Sequence, residues 1–249
     1  MSSSELVVAI RELYVAFGKY TRPESIACCP CGCTKPDATV HLIAVPLGDL
    51  RFADMLDFCF SALTTQGTVD DFRYLLPRLM QGVVQESCGC NPEILFGKLR
   101  YAKWLTWPPE EVEAVKSYLR AFWRTALNAF PMQERLPAFF EIETVLASIA
   151  VTGDSLDWFL STWTSTETEE ADRNLIQFVT MYGIDFTEGR TFAEAFWKES
   201  QPQATALRDW LLRPDTLDRI TSAAHLLPCD GFEHLFRPAV EGLFKEAQS

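Results

Sequence analysis

The stretch PPEEVEAVKSYLRAFWRTAL, residues 108–127, decides the fold class because it carries the signals of a long helix from its first residue onward. Pro108 and Pro109 suit a helix start, where a missing backbone N–H breaks no intrahelical bond. Three glutamates follow in the first turn, where the helix dipole stabilises negative charge. Apolar residues then recur at helical spacing and predict one buried side: Val112, Val115, Leu119, Phe122, Ala126 and Leu127.

Signals of the same kind continue toward the N-terminus. Thr68 is a typical N-cap residue, and Asp70 and Asp71 stand in the first turn that would follow it. Apolar residues from Val69 to Val83 recur with the period of a helix, and Pro77 lies inside this pattern. A second long helix is therefore predicted directly after Thr68.

The C-terminal half repeats the pattern. Gly153 and Gly183 follow apolar periodic segments and are predicted to end two helices, since glycine is favoured just after a helix C-terminus. Three further helices are predicted around residues 207–211, 217–224 and 232–244. The strand-like run at residues 39–45 has no pairing partner and is interpreted as a short helix or a linker.

Together these segments predict an all-α protein, built as a multi-helix bundle or an irregular array of antiparallel helix pairs. We expect one helical domain over residues 1–249, with a sub-boundary near residues 130–138 and a cysteine-rich N-terminal segment at residues 20–47. Fixed-period repeats are not evident, so a regular solenoid is not predicted.

The excess of acidic over basic residues limits the classes of molecule that are expected to bind the chain. The chain has 34 acidic and 22 basic residues and a formal net charge of −12. Nucleic acids and anionic membranes both require a positive surface, so neither is an expected partner. No stretch has the length and apolar character of a membrane span or of a signal peptide, and a cytoplasmic location is expected.

Cysteines form the sharpest local motif. The run CCPCGC at residues 28–33 and the pair at residues 88–90 supply six thiols that could hold a structural Zn²⁺: Cys28, Cys29, Cys31, Cys33, Cys88 and Cys90. His41 is a further candidate ligand. Metal-free reduced cysteines are the main alternative in the cytoplasm, and a disulfide or a redox-reactive thiol is a third.

An acidic run is the second candidate site. It holds Glu167, Glu169, Glu170 and Asp172, which we predict to contact a basic partner. The competing interpretation is a solvated helix start, since acidic residues are favoured in the first turn.

One stretch, residues 97–107, interleaves basic and aromatic residues, an arrangement that can bind nucleic acid by stacking. The alternative is a helix whose aromatic rings face the core while the basic groups stay in water. Signatures of a serine hydrolase, a P-loop and an HExxH metalloprotease are all missing, so an enzyme is not favoured.

Three segments resemble a group of bacterial all-helical proteins that have a CPC motif near the N-terminus. They are Cys29–Cys31, Ala62–Arg78 and Gly97–Ala102, within the first half of the chain. The resemblance implies a bacterial cytosolic protein and carries no assigned activity.

These observations favour a protein-binding function, and an immunity protein that neutralises a basic toxin domain is one specific version. A metal- or thiol-dependent enzyme or regulator built on Cys28–Cys33 is one alternative. A small-molecule binder with an apolar interhelical pocket is the other.

Overall fold

The computed structural model describes residues 4–30, 39–86, 91–131, 141–187, 195–227 and 232–248, with the backbone alone at 184–187 and 195. Within these ranges the chain forms α-helices and short 3-10 turns and has no strand, which confirms the all-α prediction. The helices are α1 Ser4–Phe17, α2 Val40–Ala44, α3 Leu56–Ser61, α4 Val69–Gln85, α5 Pro92–Tyr101, α6 Pro109–Leu127, α7 Ile142–Ala150, α8 Asp157–Ser165, α9 Glu169–Thr187, α10 Ala195–Lys198, α11 Gln201–Leu211, α12 Pro214–Ala223 and α13 Glu233–Glu246.

The described residues group into two compact units. Residues up to Phe122 belong to the first unit and residues from Trp123 onward to the second, so α6 contributes to both. The expectation of one domain with a sub-boundary near residues 130–138 stays a prediction, because most of that stretch lies outside the described residues.

In the first unit, α4 packs against α1 and begins as its sequence predicts. Thr68 Oγ1 accepts a hydrogen bond from the backbone N–H of Asp71, and Asp71 Oδ2 accepts one of 2.7 Å from the Thr68 N–H. This reciprocal capping box satisfies two backbone donors that a helix start leaves unpaired.

A buried carboxylate joins three segments of the first unit. Glu111, in the first turn of α6, has no exposed side-chain surface. Its Oε1 lies 2.7 Å from Lys19 Nζ and accepts a hydrogen bond of 2.8 Å from the Tyr20 hydroxyl. Its Oε2 lies 3.4 Å from Arg73 Nε, and the Arg73 guanidinium lies over the Trp107 ring, 4.5 Å from its centroid. The paired charges make burial of this carboxylate tolerable.

The core of the second unit is aromatic. The indole rings of Trp163 and Trp210 stack with centroids 5.1 Å apart, and Trp123 meets Trp163 edge-on at 5.3 Å. Each buried indole N–H has an acceptor, since Trp123 donates to the Phe159 carbonyl and Trp163 to the Ala171 carbonyl. The indole N–H groups are thus hydrogen-bonded while the rings fill the core.

The most extensive helix pairing in the second unit joins α9 to α13. The prediction that a helix ends at Gly183 is wrong, because α9 continues to Thr187. Gly183 instead allows close approach, since a Cβ atom there would lie 3.0 Å from the Ala239 Cβ on α13. A glycine at a helix crossing and a glycine at a helix end look alike in a single sequence.

Candidate functional site

A concave site lined mainly by polar and charged side chains lies in the second unit. The loop after α8, the first turn of α9, the helix α12 and the 3-10 turn at Ala224–Leu226 surround a cavity of about 490 Å³. We call it the acidic cleft, and its lining residues are Thr164, Glu167, Thr168, Glu169, Asp172, Arg219, His225 and Leu226.

Local chemistry explains why acidic residues collect at one wall. Thr168 precedes α9, and its Oγ1 accepts a hydrogen bond of 3.3 Å from the Ala171 N–H. Its carbonyl accepts the N–H of Asp172 at 3.1 Å. The positive end of the α9 dipole stabilises the carboxylates of Glu169 and Asp172 in this turn. The start of α9 therefore explains why acidic residues occur in this run, as the competing interpretation of a helix start predicts.

The carboxylates of the acidic cleft differ in their partners. Asp172 Oδ1 accepts a hydrogen bond of 2.7 Å from Arg219 Nε, and Glu169 Oε1 lies 2.7 Å from Arg173 Nη2 one turn along α9. Glu167 is exposed and makes no hydrogen bond or ion pair with a described residue. It is therefore the lining carboxylate that is open to a partner from solution.

The lining carries an excess of negative charge. Three carboxylates face one guanidinium, that of Arg219, and this guanidinium is already paired with Asp172. His225 is exposed, and its Nδ1 lies 2.9 Å from the Ser222 carbonyl oxygen, which leaves Nε2 as the outer nitrogen of the ring. A cationic group that enters the cleft would meet a carboxylate together with threonine and imidazole side chains.

Three of the four predicted partner-binding residues line this cleft, and the fourth does not. Glu167, Glu169 and Asp172 line it, whereas Glu170 is exposed on the same turn of α9 and is not part of the lining. Their role in partner binding stays a prediction. The opposite wall, with Arg219, His225 and Leu226, was not predicted, because nothing in a single sequence links these residues to the acidic run.

The predicted zinc ligands are only partly within the described residues. Cys28 and Cys29 are half-buried. The segment that contains them is hydrogen-bonded to the turn before α4, where the Cys29 N–H donates to the Thr65 carbonyl at 2.8 Å. Cys31, Cys33, Cys88 and Cys90 lie outside the described residues, so the zinc site stays a prediction. Among the residues that are described, no group of three or more histidine, cysteine or acidic side chains could hold a metal ion.

The basic and aromatic stretch at residues 97–107 contributes its indoles to the core. Trp104 and Trp107 are buried, and Trp107 Nε1 donates a hydrogen bond of 3.0 Å to the Ala102 carbonyl. Tyr101 is exposed, and Lys98 is buried, in contrast to the expectation that the basic groups stay in water. Both indoles are thus enclosed and belong to the core, whereas the Tyr101 ring is exposed.

Comparison with protein-family models, with curated proteins and with solved structures gave no match to this chain. Within the described ranges, no helix combines the length and the apolar character that crossing a membrane requires.

Proposed function

We propose that this chain is a bacterial cytoplasmic protein-binding protein, and that the acidic cleft receives a lysine or arginine side chain of its partner. The observation that carries the proposal is the exposed, unpaired Glu167 carboxylate at the edge of a cavity whose lining is negative. A cavity of about 490 Å³ is large enough for one long basic side chain together with water.

The charge of the cleft favours a basic partner over a ligand that carries phosphate groups. Phosphate groups would be repelled by the three lining carboxylates, and the net charge of −12 adds to that repulsion. A basic protein would instead be steered toward the chain, and a basic side chain in a partly enclosed cleft would form charge-assisted hydrogen bonds. An immunity protein that occludes a basic toxin domain is the specific version that we propose.

The test uses a fluorescent hexa-arginine peptide as the probe and a matched pair of charge reversals. Glu167→Lys alters the cleft, whereas Asp209→Lys makes the same charge change at an exposed position of α11 that does not line it. Glu167→Lys replaces an attraction in the cleft by a repulsion between like charges, so we expect at least ~10-fold weaker binding for this variant. Asp209→Lys should bind within about twofold of the wild type.

Equal weakening by both substitutions would mean that the peptide senses only net charge, and the proposal would then be wrong. The proposal that the protein is an immunity protein requires a second result. A basic toxin domain should be retained by the wild type and by Asp209→Lys but not by Glu167→Lys, and the same pattern should appear in the growth of cells that express the toxin domain.

A further inference from the structure

Arg219 extends from α12 toward the loop between α8 and α9, and all three nitrogens of its guanidinium donate hydrogen bonds within the protein. Its Nε donates to Asp172 Oδ1 at 2.7 Å. Its Nη1 donates to the carbonyls of Trp163 at 2.6 Å and Thr164 at 3.3 Å. Its Nη2 donates to the Thr166 carbonyl at 2.7 Å. The side chain is largely enclosed, with 18% of its surface exposed.

Two of these carbonyl acceptors lie at the C-terminal end of α8, and the carboxylate acceptor lies in the first turn of α9. The Trp163 and Thr164 carbonyls belong to the last turn of α8, which ends at Ser165, where the final carbonyls lack the usual i+4 partner. The Trp163 carbonyl accepts the Thr166 N–H at 3.2 Å as well as the Arg219 hydrogen bond. A cation at this end is also favoured by the helix dipole. Asp172 lies in the first turn of α9, so a single side chain connects the end of one helix to the start of the next.

The segment between these two attachment points carries the unpaired carboxylate of the acidic cleft. Residues 164–168 include three lining residues, Thr164, Glu167 and Thr168. Arg219 holds this segment at Thr164 and Thr166 on one side and at Asp172 on the other. Because its charge is balanced by Asp172, it performs this task without neutralising Glu167.

We infer that Arg219 is a positioning residue that holds residues 164–168 in the binding conformation before a partner arrives. The part of this inference that concerns binding rests on the proposed function. Preorganisation raises affinity because the segment does not have to be ordered during association. A loosened segment would keep the same charges and bind more weakly.

The first test is hydrogen exchange of the free protein. Arg219→Lys keeps the charge, but an ammonium is a compact group that cannot reproduce the planar fork which reaches four acceptors. We expect the hydrogen-bonded amides of this segment, at residues 164–166, to exchange at least ~10-fold faster, while those of α13 remain unchanged. Arg213→Lys is the matched control, since Arg213 is exposed and its ion-pair partner among the described residues is the nearby Asp215. Unchanged exchange in Arg219→Lys would overturn the inference.

The second test is the affinity for hexa-arginine as a function of salt. We expect Arg219→Lys to weaken binding by at least ~5-fold with the same salt dependence as the wild type, because the charges of the cleft are preserved. Faster exchange with undiminished affinity would overturn the positioning role.

Two controls distinguish failure of the proposed function from failure of the positioning role, and loss of folding from loss of the contact. If the wild type shows no Glu167-dependent affinity at all, the proposed function fails, while the exchange result still decides whether Arg219 holds the segment. If Arg219→Lys does not fold, Asp172→Ala removes one of the attachments, and it should raise exchange at residues 164–166 in the same direction.

Discussion

Trp210 Nε1 donates a hydrogen bond of 2.9 Å to Thr164 Oγ1. Thr164 lines the acidic cleft, and Trp210 stacks on Trp163 in the core of the second unit. The aromatic core and the wall of the cleft therefore share one polar contact. Trp210→Phe should remove this contact while keeping an aromatic ring, at a cost of ~1–3 kcal/mol in the free energy of unfolding. Urea unfolding measures this cost, and faster amide exchange at Thr164 would identify the lost hydrogen bond as part of its cause.

Gly82 shows where helix propensity and packing oppose each other. Glycine inside a helix is less favourable than alanine by about 1 kcal/mol, so Gly82→Ala in α4 would stabilise an isolated helix. A Cβ atom at this position, however, would lie 2.0 Å from Phe52 Cδ2. We expect Gly82→Ala to lower the free energy of unfolding by ~1–3 kcal/mol, as overpacked cores do.

Gly97→Ala in α5 is the matched control, because an added Cβ there would meet nothing within 4 Å. We expect this substitution to raise the free energy of unfolding by up to ~1 kcal/mol. Denaturant titrations of both variants decide the question, and effects of the same sign would contradict the packing argument.

The adjacent acids Glu110 and Glu111 both contact Lys19 yet should differ greatly in importance. The Glu111 side chain is fully buried, whereas that of Glu110 is 60% exposed. Glu111→Gln would leave Arg73 and Lys19 without their shared countercharge, and we expect a loss of ~3 kcal/mol in the free energy of unfolding. Glu110→Gln should have little effect, because exposed ion pairs contribute little. Thermal and urea unfolding of the two variants provide the comparison, and equal effects would argue against the buried network.

The acid stability of the first unit should depend on Asp54. The Arg51 guanidinium, assisted by His41, lowers the pKa of Asp54 to about 2. Because this pKa lies below the ordinary value for aspartate, the stabilisation is present at neutral pH and above about pH 4 and is lost as the pH falls toward about 2. Asp54→Asn should therefore lower the melting temperature at neutral pH and match the wild type near pH 2.

Asp57→Asn, at an exposed position of the neighbouring helix α3, is the control for this pH dependence. A melting-temperature difference for Asp54→Asn that is constant across the acid range would show that the Arg51 contact does not depend on ionisation of Asp54.

Local signals predicted the helices because they act within a few residues. The capping box at Thr68 and the start of α6 at Pro109 follow directly from side-chain hydrogen bonding and the helix dipole. Gly183 was misassigned because its role depends on Ala239, which is far away in the chain. The acidic run was recognised, but the cleft that it lines was not, because Arg219 reaches it only through tertiary packing.

The stacked indoles of Trp163 and Trp210 have an optical consequence. Two stacked indoles couple their electronic transitions, and one of these rings donates its N–H to a residue of the acidic cleft. A cation that enters the cleft would change the electric field at that ring and shift its emission. Trp210 would thus report occupancy of the cleft through a shift in tryptophan emission, measured against the contribution of the other tryptophans of the chain and without an attached label.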